Sequence, residues 1–130
     1  MILAIRTDAP QVRLVLQNPD GSIVADEQWQ ADRRLAHELL GSLETLLKSQ
    51  NQTWKDLTGL IVFSGPGSFT GLRIGITVMN TIAYAQAVPI VGTTGDDWLE
   101  QGARLLASGK GQEIVLPTYG SDAHITQPRK

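Results

Sequence analysis

A glycine-rich segment between an apolar run and a helical run most constrains the fold of this 130-residue chain. Residues 60–63, Leu-Ile-Val-Phe, predict a buried strand, and residues 76–87 predict a helix. Between them lie residues 64–75, in the order Ser-Gly-Pro-Gly-Ser-Phe-Thr-Gly-Leu-Arg-Ile-Gly. A strand, a glycine-rich loop and a helix N-terminus in succession often form a place where the backbone meets an anion or another protein. The segment therefore predicts a binding loop at the end of a strand.

The rest of the chain supplies strands and helices around this unit. Apolar and alternating runs predict strands at residues 2–7, 12–17, 22–29, 60–63 and 89–92, with a further short strand at 113–116. Helical spacing predicts helices at residues 33–50, 72–87 and 96–107. Asp32 is expected to cap the first helix, and the turn Asn18-Pro19-Asp20-Gly21 is expected to join the second and third strands.

This order, βββαβαβα, predicts an α/β fold, namely a single ribonuclease-H-like domain with a mixed five-stranded sheet. Actin-like and sugar-kinase-like ATPases build each of their two halves from this arrangement. Residues 1–116 are expected to form the domain and residues 117–130 a polar tail. A chain of this size buries roughly two-thirds of its unfolded surface, so a hydrophobic core is possible without disulfides.

Composition narrows the classes of function. A net charge of -2 with 42% hydrophobic residues argues against nucleic acid or an anionic membrane as the direct partner. The absence of cysteine excludes disulfides, thiolate catalysis and cysteine-ligated zinc. The apolar start at residues 1–5 is cut short by Arg6 and Asp8, which favours a first strand over a signal peptide. Because no apolar run approaches the ~20 residues that span a bilayer, we expect a cytoplasmic protein.

The second predicted helix is apolar on most of its sides. One face carries Leu72, Ile76, Met79, Ala83 and Ala87. Ile74, Val78 and Ala85 lie nearly opposite. A helix of this kind is buried on most sides, either by the first helix within one domain or by another protein. Glycines at 67, 71 and 75 clear one edge near its start, which permits a close backbone approach.

If the two helices form a protein–protein interface, six residues are predicted to make the contact: Leu39, Leu43, Ile76, Met79, Asn80 and Ala83. The loop is predicted to position the second helix and to contact the partner through Ser64, Gly65, Pro66, Gly67, Ser68, Phe69, Thr70, Gly71 and Arg73. Arg73 is unfavourable for the helix dipole in the first turn, which favours an external contact for it. A tight structural turn, partner contact and anion binding all remain open for the loop.

The sequence offers weak candidates for catalysis. The loop matches neither a phosphate-binding Walker loop nor a dinucleotide fingerprint, because its glycine spacing and the residues that follow differ from both. Ser64 and Ser68 lack a base held in reach, since His37 and His124 belong to no supporting motif. The pair Asp96-Asp97 opens a helix, where capping explains the acidic residues better than a metal does. We therefore predict no catalytic residue and no metal ligand.

One long segment resembles a known family. The stretch SGPGSFTGLRIGITVMNTIAYAQAVPIVGTTGDDW closely resembles the TsaB (YeaZ) family, which is known for Gly-Pro-Gly-Ser-Phe-Thr-Gly-Leu-Arg-Ile-Gly. The opening MILAIRTDAP is similar to the family's first strand, and ADRRLAHELLGSLETLL looks like its first helix. The likeness spans about residues 1–98.

The resemblance implies a function. Members of the family descend from actin-like ATPases and are considered non-catalytic. They bind the catalytic paralogue TsaD through the two helices, the ATPase TsaE joins them, and the assembly installs threonylcarbamoyl on N6 of the adenosine beside the tRNA anticodon. It follows that this chain binds no cofactor, that ATP and metal belong to the partner proteins, and that tRNA is contacted only indirectly. Homodimers through the same surface are also known in the family.

Three departures from the family pattern modify these expectations. Arg6 stands where the opening strand usually has an aspartate, and this aspartate serves the metal–phosphate site in actin-like ATPases. Leu35 stands where the first helix usually has a histidine. The chain is also short, and we expect a natural form that lacks most of the second domain and retains the family's end around Pro117 and Tyr119. The alternatives are a stand-alone homodimeric binding module and a glycoprotease-like hydrolase.

Overall fold

The computed structural model describes residues 1–118 and contains one mixed five-stranded sheet with helices on both faces. The strands are β1 Ile2–Arg6, β2 Gln11–Gln17, β3 Ile23–Gln30, β4 Gly59–Phe63 and β5 Ile90–Thr93. The helices are α1 Leu35–Ser49, α2 Phe69–Gln86 and α3 Trp98–Ala107. The strands lie in the order β3-β2-β1-β4-β5, antiparallel from β3 to β1 and parallel from β1 to β5. The predicted ribonuclease-H-like α/β class is confirmed.

The helices are divided between the two faces of the sheet. Ile61 of β4 lies against Gly102 of α3, where an added Cβ would overlap the isoleucine side chain. On the other face Thr7, directly after β1, lies against Gly71 and Gly75 of α2. Because α1 packs against both α2 and β2, α1 and α2 cover one face and α3 covers the other. β1 and β4 are consequently buried on both faces, as parallel strands usually are.

The start of α1 differs from the prediction. Asp32 does not cap the helix, because it adopts a positive φ of 50° and opens a short 3-10 turn at Asp32–Arg34. Its carboxylate accepts a hydrogen bond from Gln30 Nε2 at 3.0 Å. The residue at the N-cap of α1 is Arg34, whose side chain makes no capping bond. The core side of α1 agrees with the predicted spacing and buries Leu35, Leu39, Leu43, Leu46 and Leu47.

The predicted turn between β2 and β3 is confirmed. Gly21 has a φ of 94°, and its N–H donates to the Asn18 carbonyl at 2.9 Å. The Asp20 carboxylate accepts from the Ser22 hydroxyl at 2.6 Å and from the Ser22 N–H at 2.8 Å. These two bonds favour the ionised form and lower the pKa of Asp20. Beside the turn, the register between β2 and β3 shifts at Leu16/Gln17.

The strand predicted at residues 113–116 is absent from the described part of the chain. Residues 112–118, which we call the strap, cross from β5 towards β4 with one isolated bridge between Gln112 and Ile90. The Val115 N–H donates to Asn80 Oδ1 and the Val115 carbonyl accepts from Asn80 Nδ2, both at 2.9 Å. A side chain of α2 thus satisfies the backbone groups that a strand partner would have satisfied. Most of the predicted tail, residues 119–130, lies outside the described residues.

Candidate interaction site

The loop that follows β4 is held to the neighbouring strand at its first residue. We call residues 64–71 the glycine loop. Ser64 is buried, and its hydroxyl donates to the Thr93 carbonyl at 3.2 Å. Its own carbonyl accepts from the Thr118 N–H at 2.6 Å, which fastens the strap to the loop. Gly65 adopts a φ of 120°, which only glycine accepts readily, so this position requires its residue type.

The glycine spacing serves a contact within the chain. A Cβ added at Gly67 would overlap Asp8, and one added at Gly71 or Gly75 would overlap Thr7. Thr7 Oγ1 donates to the Gly71 carbonyl at 2.7 Å, and the Ser68 N–H donates to the Asp8 carbonyl at 2.9 Å. The predicted close backbone approach is therefore present, and the segment that approaches is the end of β1.

Arg6 is the last residue of β1, and its side chain makes contacts that hold the end of this strand in place. Its guanidinium makes two hydrogen bonds to the Asp8 carboxylate, at 2.9 and 3.2 Å. Its Cζ lies 3.8 Å from the centre of the Phe63 ring and 5.9 Å from the Trp98 ring. Phe63 and Trp98 meet edge to face at 6.1 Å. Arg6 thus joins the ends of β1 and β4 to α3 and fixes the residue on which the glycine loop rests.

The outer half of the glycine loop faces solvent. Pro66, Ser68, Phe69 and Thr70 are exposed. Arg73 is also exposed, and its Cζ lies 5.2 Å from the centre of the Phe69 ring. Ser68 occupies the N-cap of α2 but makes no capping bond with its side chain. Partner contact by this part of the loop stays a prediction that its exposure permits.

The predicted set of helix interface residues needs correction. Leu39, Leu43, Ile76, Met79 and Ala83 are buried in the core of the single chain. Asn80 is partly buried and uses its side chain to hold the strap. These six side chains are therefore not available as the contact surface of the folded monomer. The apolar spacing that identified them marks the face of each helix that covers the sheet.

The two helices nevertheless expose a different apolar surface, which we call the α1–α2 seam. It comprises Ala36, Leu40, Phe69, Ile74, Val78 and Ala85. Leu40 and Phe69 are 54% and 52% exposed. Single exposed apolar side chains are common, so the significance of these two lies in the apolar surface that they share. Two open grooves of about 430 and 400 Å³ run along the seam. Arg73 lines the first groove and Glu44 the second, so the seam is apolar with a charge of opposite sign towards each end.

A third groove, of about 790 Å³, separates the glycine loop from the start of α1. Arg33, Ser68 and Thr70 are among the residues that line it. A guanidinium and hydroxyls beside a helix N-terminus suit an anion chemically, so the anion-binding alternative for the loop stays a prediction at this groove.

The described residues give no arrangement typical of nucleophilic catalysis. Ser64 Oγ lies 3.4 Å from Thr118 Oγ1 and bonds a carbonyl, while His37 is exposed on α1. Asp97 occupies the N-cap of α3, but its carboxylate accepts from the Gln101 side chain instead of a backbone N–H. Within residues 1–118, no group of three or more His, Cys, Asp or Glu side chains is placed to hold a metal ion. His124 lies outside the described residues.

No helix within residues 1–118 has the length and hydropathy needed to cross a membrane. α2 is the longest helix among the described residues, at 18 residues, but threonines, an asparagine and an arginine interrupt its apolar surface.

The sheet order and the helix arrangement define a ribonuclease-H-like domain of the actin-like type. A family model described as "TsaD: tRNA N6-adenosine threonylcarbamoyltransferase" matches residues 25–117. The chain belongs to this family, and its resemblance to the TsaB (YeaZ) proteins is confirmed by its relatives.

Two relatives named "tRNA threonylcarbamoyladenosine biosynthesis protein TsaB" match most of this chain. The protein of Bacillus subtilis strain 168 is 28% identical over 79% of this chain and 44% of the relative. That of Escherichia coli strain K12 is 31% identical over 78% and 43%. The solved structure of YeaZ from Pseudomonas aeruginosa superposes with a TM-score of 0.66 at 26% identity, covering 72% of this chain and 43% of that one. This chain thus matches less than half the length of these proteins.

Proposed function

We propose that this chain is a non-catalytic scaffold subunit in the biosynthesis of threonylcarbamoyladenosine in tRNA. It docks on a TsaD-like protein and holds that enzyme in an active arrangement while the enzyme modifies N6 of the adenosine next to the anticodon. The names of the TsaB relatives support the pathway. The family model and further relatives named "tRNA N6-adenosine threonylcarbamoyltransferase", 36% identical over 48% of this chain, support a TsaD-like partner.

The exposed apolar side chains of the α1–α2 seam are the observation that supports this proposed docking surface. Exposed Leu40 and Phe69 lie beside two grooves along the neighbouring helices, and the walls of both grooves include apolar side chains. Apolar strips with a polar rim are typical of protein–protein interfaces, where a few large side chains supply most of the binding energy. The contact residues proposed here are consequently the exposed Leu40, Phe69 and Ala85 and the partly exposed Val78, in place of the buried set.

The glycine loop has a supporting role in this proposal. Its glycines fix the start of α2 against β1, and this contact sets the position of Phe69 and Arg73 at one end of the seam. We propose that the chain itself binds neither cofactor nor metal, that ATP and metal are bound by the TsaD-like and TsaE-like partners, and that tRNA is contacted only through them.

The docking surface is tested with substitutions that place a charge on the seam. Leu40→Glu and Ala85→Glu alter exposed positions, so the fold is expected to survive. Each is expected to weaken binding to the TsaD of the same organism by at least about tenfold, because burying an unpaired carboxylate in an apolar contact is costly. Isothermal titration calorimetry measures the affinity.

Ile23→Glu is the matched control, since Ile23 is 51% exposed and lies beside α3 on the opposite face of the sheet. It should bind like the wild type. In cells that lack the endogenous subunit, the wild type and the Ile23→Glu variant should restore threonylcarbamoyladenosine in tRNA, measured by mass spectrometry, and Leu40→Glu should not. If the seam variants and the control bind TsaD with equal affinity, the seam is not the docking surface.

A further inference from the structure

A groove of about 400 Å³ lies on the face of the sheet opposite the α1–α2 seam. It runs between the turn that joins β2 to β3 and helix α3. Its walls are apolar, formed by Ile23, Leu99 and Ala103, and Glu100 and Arg104 stand at its charged rim. Ligand sites of small molecules commonly combine apolar walls with a few polar groups in a volume of this order.

A buried amide with unused hydrogen-bonding capacity lies in this groove. Gln17 lines it and is only 1% exposed. Neither its Nε2 nor its Oε1 has a hydrogen-bond partner among residues 1–118. A buried polar group without a partner destabilises a protein, and a bound water, ion or ligand that pairs with it relieves this cost. The amide offers two donors and an acceptor side by side.

The local backbone places this amide on the α3 side. Gln17 lies on the same face of β2 as Arg13, whose Cζ is 5.9 Å from the Trp98 ring of α3. Beside it the extra residue at the register shift, Val24, belongs to β3. Asp20, at the mouth of the groove, is already bonded to Ser22 and belongs to the turn. Glu100 and Arg104 are one helical turn apart on α3. Within the described residues neither makes an ion pair at 4.0 Å or less, and Glu100 lies near enough to Arg13 for their charges to attract.

We infer that this groove binds a small zwitterionic amide, with the ligand carboxamide paired to Gln17, its ammonium facing Glu100 and its carboxylate facing Arg104. A carboxamide complements the Gln17 amide because each presents a donor beside an acceptor. The opposite charges at the rim match a free amino acid better than an anion or a cation. The inference goes beyond the proposed function and does not rest on it, since the groove and the α1–α2 seam lie on opposite faces.

The test titrates the wild-type protein with L-glutamine and L-asparagine and follows the side-chain amide signals of Gln17 by NMR. At least one of the two is expected to shift these signals saturably. L-Glutamate should bind at least about tenfold more weakly, because a carboxylate cannot donate to Gln17 Oε1 and leaves that group unpaired. Unchanged Gln17 signals with both amides would overturn the inference.

Two variants assign the binding to the groove. Gln17→Leu keeps a similar volume, removes the amide and should abolish the response, which is then followed through the backbone signals of Leu99 and Ala103. Arg104→Gln removes only the rim cation and should weaken binding about tenfold. Gln28→Leu, an exposed position on β3 outside the groove, is the control and should bind like the wild type. Binding that survives Gln17→Leu would contradict the proposed pairing.

Discussion

Arg6 is the residue whose role the sequence left most open. It stands where the family usually has an acidic residue, and in the structure its side chain contacts Asp8 and Phe63. The guanidinium is bonded to Asp8 through two nitrogens and is stacked on Phe63. Arginine can satisfy both contacts at once because its planar group forks towards a carboxylate while its face covers a ring. The side chain therefore stabilises the strand end on which the glycine loop rests.

Arg6→Lys tests this interpretation at constant charge. We expect a loss of about 1 kcal/mol in the free energy of unfolding, because lysine forms neither the two-nitrogen contact nor the planar stack. Urea denaturation followed by tryptophan fluorescence measures it. Arg33→Lys is the control, since Arg33 is exposed and takes part in no ion pair within residues 1–118. If Arg6→Lys and Arg33→Lys lower the free energy of unfolding equally, the contacts of Arg6 do not stabilise the strand end.

Asn80 is a second residue whose structural role differs from its predicted one. Its amide pairs with both backbone groups of Val115 and holds the strap in place. Asn80→Ala should destabilise the protein by about 1–3 kcal/mol, because two partly buried backbone groups lose their partners. Thr81→Ala is the control, as the Thr81 hydroxyl bonds only within α2.

Amide hydrogen exchange distinguishes release of the strap from a general loss of stability. Exchange at Val115 should accelerate in Asn80→Ala far more than exchange in β1 or β4. Uniform acceleration throughout the sheet would show that Asn80 supports the whole fold and not the strap alone.

Among the elements, the start of α2 depends on small residues most strongly. Gly71→Ala places a methyl group against the Thr7 carbonyl, and we expect a loss of about 1–3 kcal/mol from the resulting overpacking. Gly41→Ala in α1 is the matched control, since an added Cβ there meets nothing within 4 Å. It should stabilise the protein by up to about 1 kcal/mol through helix propensity. Thermal unfolding separates the two, and a neutral Gly71→Ala would show that the close approach is not required.

Element types were largely predictable from the sequence because the apolar spacing is regular. The three-and-four spacing of leucines in α1 and the apolar runs of β1 and β4 indicate their structures directly. The ends of the helices and the short segments between elements were less predictable. Asp32 resembles a cap but turns with a positive φ, and residues 113–116 resemble a strand but bond to a side chain. Asp32 instead pairs with Gln30, two residues away, whereas the contact that decides residues 113–116 comes from Asn80, 35 residues away from Val115.

The candidate site was harder to derive for a related reason. Apolar periodicity identifies the side of a helix that is most apolar, and this side covers the sheet. Leu43 and Met79 were therefore placed at an interface although they lie in the core. Leu40 belongs to the same apolar spacing, and only the structure shows that it is left uncovered. The close approach at Gly71 was predicted from its spacing, but its partner Thr7 is 64 residues away and carries no signal.

For the whole molecule, the central claim is that the α1–α2 seam docks a TsaD-like protein even though the chain spans less than half the length of its TsaB relatives. A contact surface confined to two helices of one domain can persist without the rest of a longer protein, because the domain has its own core.

The most direct test is the mass, by light scattering after gel filtration, of the chain alone and mixed with the TsaD of the same organism. The account predicts a 1:1 complex that forms with the wild type and with Ile23→Glu and is lost with Leu40→Glu. A homodimer that persists in the presence of TsaD would contradict it and would favour a stand-alone homodimeric binding module.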